Sequence, residues 1–212
     1  MRRVALFDLD GTMFRGDSIA LLVLTLLRRG VMKPAWYLLR VLWGTLLWKL
    51  GLRRVEAVKR AALAPLGGLA PARREELLRD FVHEELASRV YPEALDKMRR
   101  HASQGFLVLV VSASPTLYLR YIPDILPADA AIGTDTEEYF TVRENMTGEA
   151  KVRAVTRWLE EAGVRTDWAS SFAYGDSASD LPMLRLTGNH FLVNPKRGAR
   201  KKGAGIPRLT WS

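Results

Sequence analysis

A chain of 212 residues, 48% of them hydrophobic, can bury a core of its own and is too apolar to be a disordered tail. It has no cysteine, which excludes disulfides and thiolate-bound metals, leaves oxygen ligands or the three histidines for any metal, and fits a reducing, cytoplasmic setting. The net charge of +9 is concentrated, because residues 14–93 hold 14 Lys and Arg against 8 Asp and Glu; a solvated basic surface, nucleic acid or an anionic membrane face all suit that balance.

The opening stretch MRRVALFDLD has a short apolar run that stops at aspartates, so it does not read as a secretory signal, and Met1 is expected in the mature protein. Val4 to Asp8 predicts a buried strand, with Gly11-Thr12 as the turn beyond it. Helices are predicted over Ser18–Arg29, Pro34–Leu50, Arg54–Ala64, Pro71–Arg89 and Pro92–Gln104, interrupted at Gly30, Gly51 and Gly67-Gly68. Phe106–Ser112 (FLVLVVS) has the continuous apolar form of a parallel strand covered on both faces. Beyond it the pattern alternates: a short helix Thr116–Ile122, a strand Ala130–Thr134, a strand or hairpin arm Tyr139–Glu144, and an amphipathic helix Glu149–Ala162. Strand Ser171–Tyr174, helix Leu181–Leu186 and strand Phe191–Val193 complete the series. This alternation predicts an α/β fold with a three-layer, Rossmann-like parallel sheet core formed by residues 1–13 and 94–212. Residues 14–93 are predicted to form a small helical cap inserted after the first strand.

Ligands of open parallel sheets bind outside the carboxyl ends of the strands, where this sequence puts Asp8, Asp10, Ser112 and Asp176. Asp8 and Asp10 are two residues apart, and carboxylates that close repel unless a proton or cation separates them. Mg²⁺, which takes oxygen ligands and keeps several waters, suits such a site, with Asp176 as a third ligand and Asp180 in support. Alone, FDLDGT could equally be a strand followed by an Asp-rich turn. An EF-hand loop is excluded, since Gly11 is fourth rather than sixth and Ile19 occupies the bidentate glutamate's place. No P-loop or dinucleotide fingerprint is present.

Taken together, FDLDGT, VVSAS, the lysine of GEAK and YGDSASDLPML resemble the four motifs of the haloacid dehalogenase (HAD) superfamily, in order and over essentially the whole chain. The early insertion is similar to that of subclass IB, the phosphoserine phosphatase-like branch. The resemblance implies phosphomonoester hydrolysis through an aspartyl-phosphate, with Mg²⁺ as cofactor. Asp8 is then the nucleophile and Asp10 the acid and base. The ion is held by Asp8, the Asp10 carbonyl and Asp176; Thr12, Ser112, Ala113 and Lys151 hold phosphate, and Asp180 and Ser179 support them. Charge is consistent with these roles: a dianionic phosphate meeting Asp8 is repelled by roughly 4 kcal/mol per pair of unit charges at about 4 Å, and Mg²⁺ with Lys151 balances them.

Ser177 and Ser179 depart from the Gly and Asn common in relatives. Asp17 matches loosely the acid that meets the amine of phosphoserine, while Ala62 falls where that branch has its carboxylate-binding cap arginine, leaving Arg54 or Arg60 to compensate. From Asp17 to Glu56 there is no acid, and basic residues interrupt an apolar run bearing Trp36, Trp43 and Trp48. Leu39, Trp43, Leu46, Leu47 and Leu50 share a helical face with Trp36. Two expectations follow: a cap that packs on itself and the core, or residues 18–55 contacting an anionic membrane peripherally at its inner face. The second resembles the phosphatidylglycerophosphate phosphatase type of this superfamily. The expected substrate is thus a small phosphometabolite or a lipid phosphate, with phosphoserine phosphatase as the alternative, phosphoryl transfer to another acceptor sharing the same residues, and a non-catalytic membrane-associated adaptor as the reading of another class. His83, His101 and His190 lack ligand spacing and read as surface or structural. The run KRGARKK reads as a solvated helix, so no nucleic acid is expected.

Overall fold

A computed structural model describes residues 1–31, 34–52, 54–136, 142 and 144–212. Most of the expected arm Tyr139–Glu144 lies outside the described residues, as do Lys33, Arg53 and the side chains of Trp36 and Leu38.

Six parallel strands form one sheet in the order β3-β2-β1-β4-β5-β6: β1 Val4–Phe7, β2 Leu107–Pro115, β3 Ala130–Thr134, β4 Phe172–Gly175, β5 Asn189–Val193 and β6 Arg208–Leu209. Both neighbours of β1 register on Phe7, which pairs with Val110 on one side and Tyr174 on the other. The chain proceeds from β1 outward to β3, then returns to the far side of β1 for β4, so a crevice opens at the carboxyl end of β1.

Alternation along the strands divides the interior in two. Ala5, Phe7, Val108 and Val110 face one cluster, and Val4, Leu6, Leu107 and Leu109 face the other, which gives three layers. The second cluster is closed by α7 (Glu149–Glu161), α8 (Leu181–Leu184) and α9 (Arg197–Lys202). On the first face, Phe7 stacks on Tyr174 at 4.6 Å and Tyr174 on Phe191 at 5.5 Å, a row of rings crossing β1, β4 and β5.

Between β1 and β2 every described element is helical, with α1 Ser18–Arg28, α2 Pro34–Lys49, α3 Val55–Leu63, α4 Pro71–Asp80 and α5 Pro92–Ser103, and the short α6 Thr116–Leu119 follows β2. Asp17 caps α1 by accepting the Ala20 amide at 2.9 Å. The single helix expected over Pro71–Arg89 is divided: after α4 the backbone passes into a π-helical turn at Phe81–Leu86 and a 3₁₀ turn at Ala87–Arg89. The wider turn keeps Phe81, Val82 and Leu86 inside the first cluster while letting the chain rejoin the core at α5. Leu22 and Leu26 of α1, Leu63 of α3 and Leu77 and Leu78 of α4 belong to that same cluster, so the inserted helices share a core with one face of the sheet.

α2 is different. It packs on α3 through Gly44, which lies against Val58, and through Tyr37, whose hydroxyl donates to the Ala62 carbonyl at 2.5 Å. Trp43, Leu46 and Leu50, from the face predicted to be buried if the cap packs on itself, are exposed. Among the described residues no helix is long and apolar enough to cross a membrane.

Candidate active site

The polar residues that end β1, β2 and β4 meet in the crevice. Asp8 follows β1 directly, its amide donating to the Tyr174 carbonyl at 2.9 Å, and its side chain is buried. Thr12 Oγ1 donates to Asp8 Oδ2 at 3.1 Å. Lys151, in the first turn of α7, is 1% exposed and reaches both Asp8 Oδ1 at 2.6 Å and Asp180 Oδ1 at 2.7 Å. The Gly148 amide, at the start of α7, donates to the Ser179 carbonyl at 3.0 Å, which fastens Lys151 to the loop after β4. Asp180 Oδ2 accepts from the Ser177 amide and hydroxyl at 2.9 and 2.6 Å, and the Ser177 and Ser179 hydroxyls lie 2.6 Å apart.

Oxygens of Asp8, Asp176 and Asp180 all lie within 4.8 Å of one another. Asp10 contributes no carboxylate oxygen to that trio. Its side chain turns toward the insertion, accepting from the Ser18 amide at 2.8 Å, the Ser18 hydroxyl at 3.1 Å and the Ser114 hydroxyl at 2.7 Å. The Ser18 hydroxyl in turn lies 2.7 Å from that of Tyr118. Among the last residues of β2, Ser112 Oγ accepts from the Ser114 amide at 3.0 Å, and the Ala113 carbonyl accepts from Thr134 Oγ1 at 2.5 Å. Asp17, Arg54 and Arg60 are exposed, and neither arginine bonds to a site residue among the described residues.

Burial and crowding set the protonation. Burial, then the charges of Asp180 and Asp176, push Asp8 up to about 7 against the pull of Lys151. Burial lifts Asp176 to about 6, opposed by Lys196, whose ammonium lies 2.7 Å from its Oδ2. Burial would lift Asp180 as well, but Lys151 holds it below the usual carboxylate range. Burial also raises Asp10, helped by Asp17 and opposed by its Ser114 and Ser18 hydrogen bonds. Three buried carboxylates face two ammonium groups here. That shortfall of positive charge, in a set of hard oxygen donors, is what a divalent cation relieves, so the residues fit Mg²⁺.

Three participants are absent from the sequence-level reading. Lys59 of α3 is buried, its ammonium bonded to the Ala113 carbonyl and the Asn145 side chain and 3.4 Å from Thr134 Oγ1. Burial lowers it to about 8, opposed by Asp10 and Asp17. Its signal is positional: Lys59, Ala62, Leu63 and Leu66 share one side of the helix and its continuation, so this lysine sits in an apolar stripe. Lys196 follows β5 closely and so ends a fourth parallel strand, a position the solvated-helix reading of KRGARKK overlooks. Ser18 has no signal beyond its place after the Asp17 cap.

The haloacid dehalogenase-like hydrolase family matches residues 5–185. A histidinol-phosphatase of Neisseria meningitidis serogroup C is 26% identical over 96% of this chain and 97% of its own. A phosphoserine phosphatase of Mycobacterium tuberculosis is 28% identical over 90% of this chain and 64% of its own. A solved structure from Bordetella pertussis Tohama I, of a protein with unknown function, superposes with a TM-score of 0.88 at 26% identity, covering 99% of this chain and 98% of the other. With the family matched from β1 to beyond α8 on a parallel sheet whose strand ends gather Asp8, Lys151, Asp176 and Asp180, the chain belongs to the haloacid dehalogenase-like hydrolases.

Proposed function

We propose that the protein is a Mg²⁺-dependent phosphatase that hydrolyses a small phosphomonoester through an aspartyl-phosphate on Asp8. The observation that carries this reading is the buried Asp8 carboxylate, held at one oxygen by Lys151 and at the other by Thr12, beside Asp176 and Asp180. Asp8 and Asp176, with the Asp10 carbonyl, would hold the ion, which when bound neutralises phosphoryl charge and favours the ionised form of Asp8.

The protein's own groups account for the remaining steps. Lys151 and Thr12 fix the Asp8 carboxylate, and one of its oxygens attacks phosphorus in line as the bond to the leaving oxygen breaks. Asp10, whose pKa burial raises, donates a proton to that oxygen. The Asp10 carboxylate then takes a proton from water, which attacks the same phosphorus and returns Asp8 with inorganic phosphate. Ser18 and Ser114 hold Asp10 toward the insertion, the side from which a substrate between cap and core presents its leaving group. Residues 14–93 are the cap in this reading, and Lys59 adds positive charge near Asp10.

The proposed substrate is a phosphorylated amino alcohol without a carboxylate, such as histidinol phosphate. The similarity to a histidinol-phosphatase over nearly all of both chains supports this, as do Asp17 near Asp10 and the exposed placement of Arg54 and Arg60. A second reading, a lipid phosphomonoester, is favoured by the exposed apolar face of α2. Phosphate release is measured from histidinol phosphate, O-phosphoserine and detergent-dispersed phosphatidylglycerophosphate, with Mg²⁺ and with chelator. Histidinol phosphate should give the highest kcat/KM, and chelation should abolish release reversibly. Preference for phosphoserine or the lipid overturns the substrate assignment; metal-independent release overturns the mechanism.

A further inference from the structure

The face of α2 turned away from α3 carries an exposed apolar stripe. At about 100° per residue, Leu39, Leu42, Trp43, Leu46 and Leu50 fall within an arc of roughly 100°. Leu50 is just past the helix, but its amide donates to the Leu46 carbonyl at 3.0 Å and continues the turn. These five side chains are 45–62% exposed, and Leu52, in the turn that follows the helix, is exposed as well. Gly44 and Tyr37, the residues that meet α3, are on the other side of the helix, so the cap's own packing leaves the stripe uncovered. A continuous apolar surface of this kind on a water-soluble fold marks an interaction site.

Charge decides the occupant. Arg40 lies beyond one edge of the arc and Lys49 beyond the other, both exposed, with exposed Arg54 just past Leu52. No acidic residue occurs between Asp17 and Glu56 to neutralise them. A second copy docking through this face would bring the two basic rims together, in a protein already carrying a net charge of +9. Leucines around one tryptophan, rimmed by cations on both sides, match the apolar boundary and anionic headgroups of a bilayer. We infer that α2 lies on an anionic lipid bilayer with Leu39, Leu42, Trp43, Leu46 and Leu50 inserted at the headgroup boundary and Arg40 and Lys49 among the phosphates. The contact is independent of turnover and holds whatever the soluble substrate is.

The test is flotation of the purified full chain with vesicles of equal phosphatidylglycerol and phosphatidylcholine, and with vesicles of phosphatidylcholine alone. The protein should float with the anionic vesicles, remain behind with the neutral ones, and be released by high salt. Trp43→Glu/Leu46→Glu and, separately, Arg40→Glu/Lys49→Glu should each lower the bound fraction at least about tenfold. All four positions are exposed and outside the catalytic machinery, so circular dichroism and phosphate release from a soluble substrate should be unchanged. Equal flotation of the variants, or none by the parent, overturns the inference. A parent dimer dissociated by Trp43→Glu/Leu46→Glu also overturns it and assigns the face to a second copy.

Discussion

Gly11 tests the coupling between the backbone and the proposed metal site, because its φ is +86° and a Cβ there would lie 2.3 Å from Asp176 Oδ2 and 3.0 Å from Asp176 Cγ. In Gly11→Ala the left-handed conformation costs about 1–2 kcal/mol of stability. The carboxylate must also retreat by about 1 Å to reach ordinary contact, several times the roughly 0.2 Å tolerance of a metal–ligand distance. A disturbance of that kind is worth about 10–100-fold in metal affinity. Phosphate release titrated with Mg²⁺ should therefore show half-saturation raised about 10–100-fold, with activity partly restored at high Mg²⁺, while thermal denaturation shows a folded protein only modestly destabilised. A folded Gly11→Ala protein with the parent's Mg²⁺ dependence would refute the placement of Asp176 against the FDLDGT turn.

Lys59→Met should separate stability from function. Burial holds this lysine at about 8, below its unfolded value, so keeping it charged at neutral pH opposes folding, and that opposition fades as pH rises through 8. Replacing it by an apolar chain of similar length should stabilise the protein by about 1–2 kcal/mol in thermal unfolding, yet lower kcat/KM about tenfold, mainly through KM. His101, 2.8 Å from the Tyr174 hydroxyl, is pushed by burial down to about 4. Its contribution is complete above the unfolded pKa near 6.5 and is lost as pH falls toward 4. Parent and His101→Phe should therefore converge by about 1–2 kcal/mol between pH 6.5 and 5 in denaturant unfolding, and a pH-independent difference would contradict a buried neutral imidazole. Asp8→Asn should fold normally and release no phosphate above background in the coupled assay.

The central strands were legible because each is a short apolar run, and because the runs of β1, β2 and β4 give way to polar residues at Asp8, Ser112 and Asp176. Strand order then puts those ends together, a consequence of topology that any single run leaves implicit. β6 has two residues and makes no pattern. The π turn at Phe81–Leu86 continues the helical periodicity of α4, so nothing local announces it. Lys59 and Lys196 were missed because their roles depend on partners 54 and 20 residues away in the chain. The α2 sequence is apolar nearly all round, and which side is covered depends on Gly44 and Tyr37 meeting α3 rather than on α2 alone.

The most direct test of the central claim is to quench the enzyme in acid during turnover of a phosphomonoester and locate phosphate on the protein by peptide mass spectrometry. A hydroxylamine-labile phosphoryl group on the peptide containing Asp8, absent from Asp8→Asn, is the predicted result. Phosphate released at full rate with no label at Asp8, or hydrolysis retained by Asp8→Asn, would contradict it.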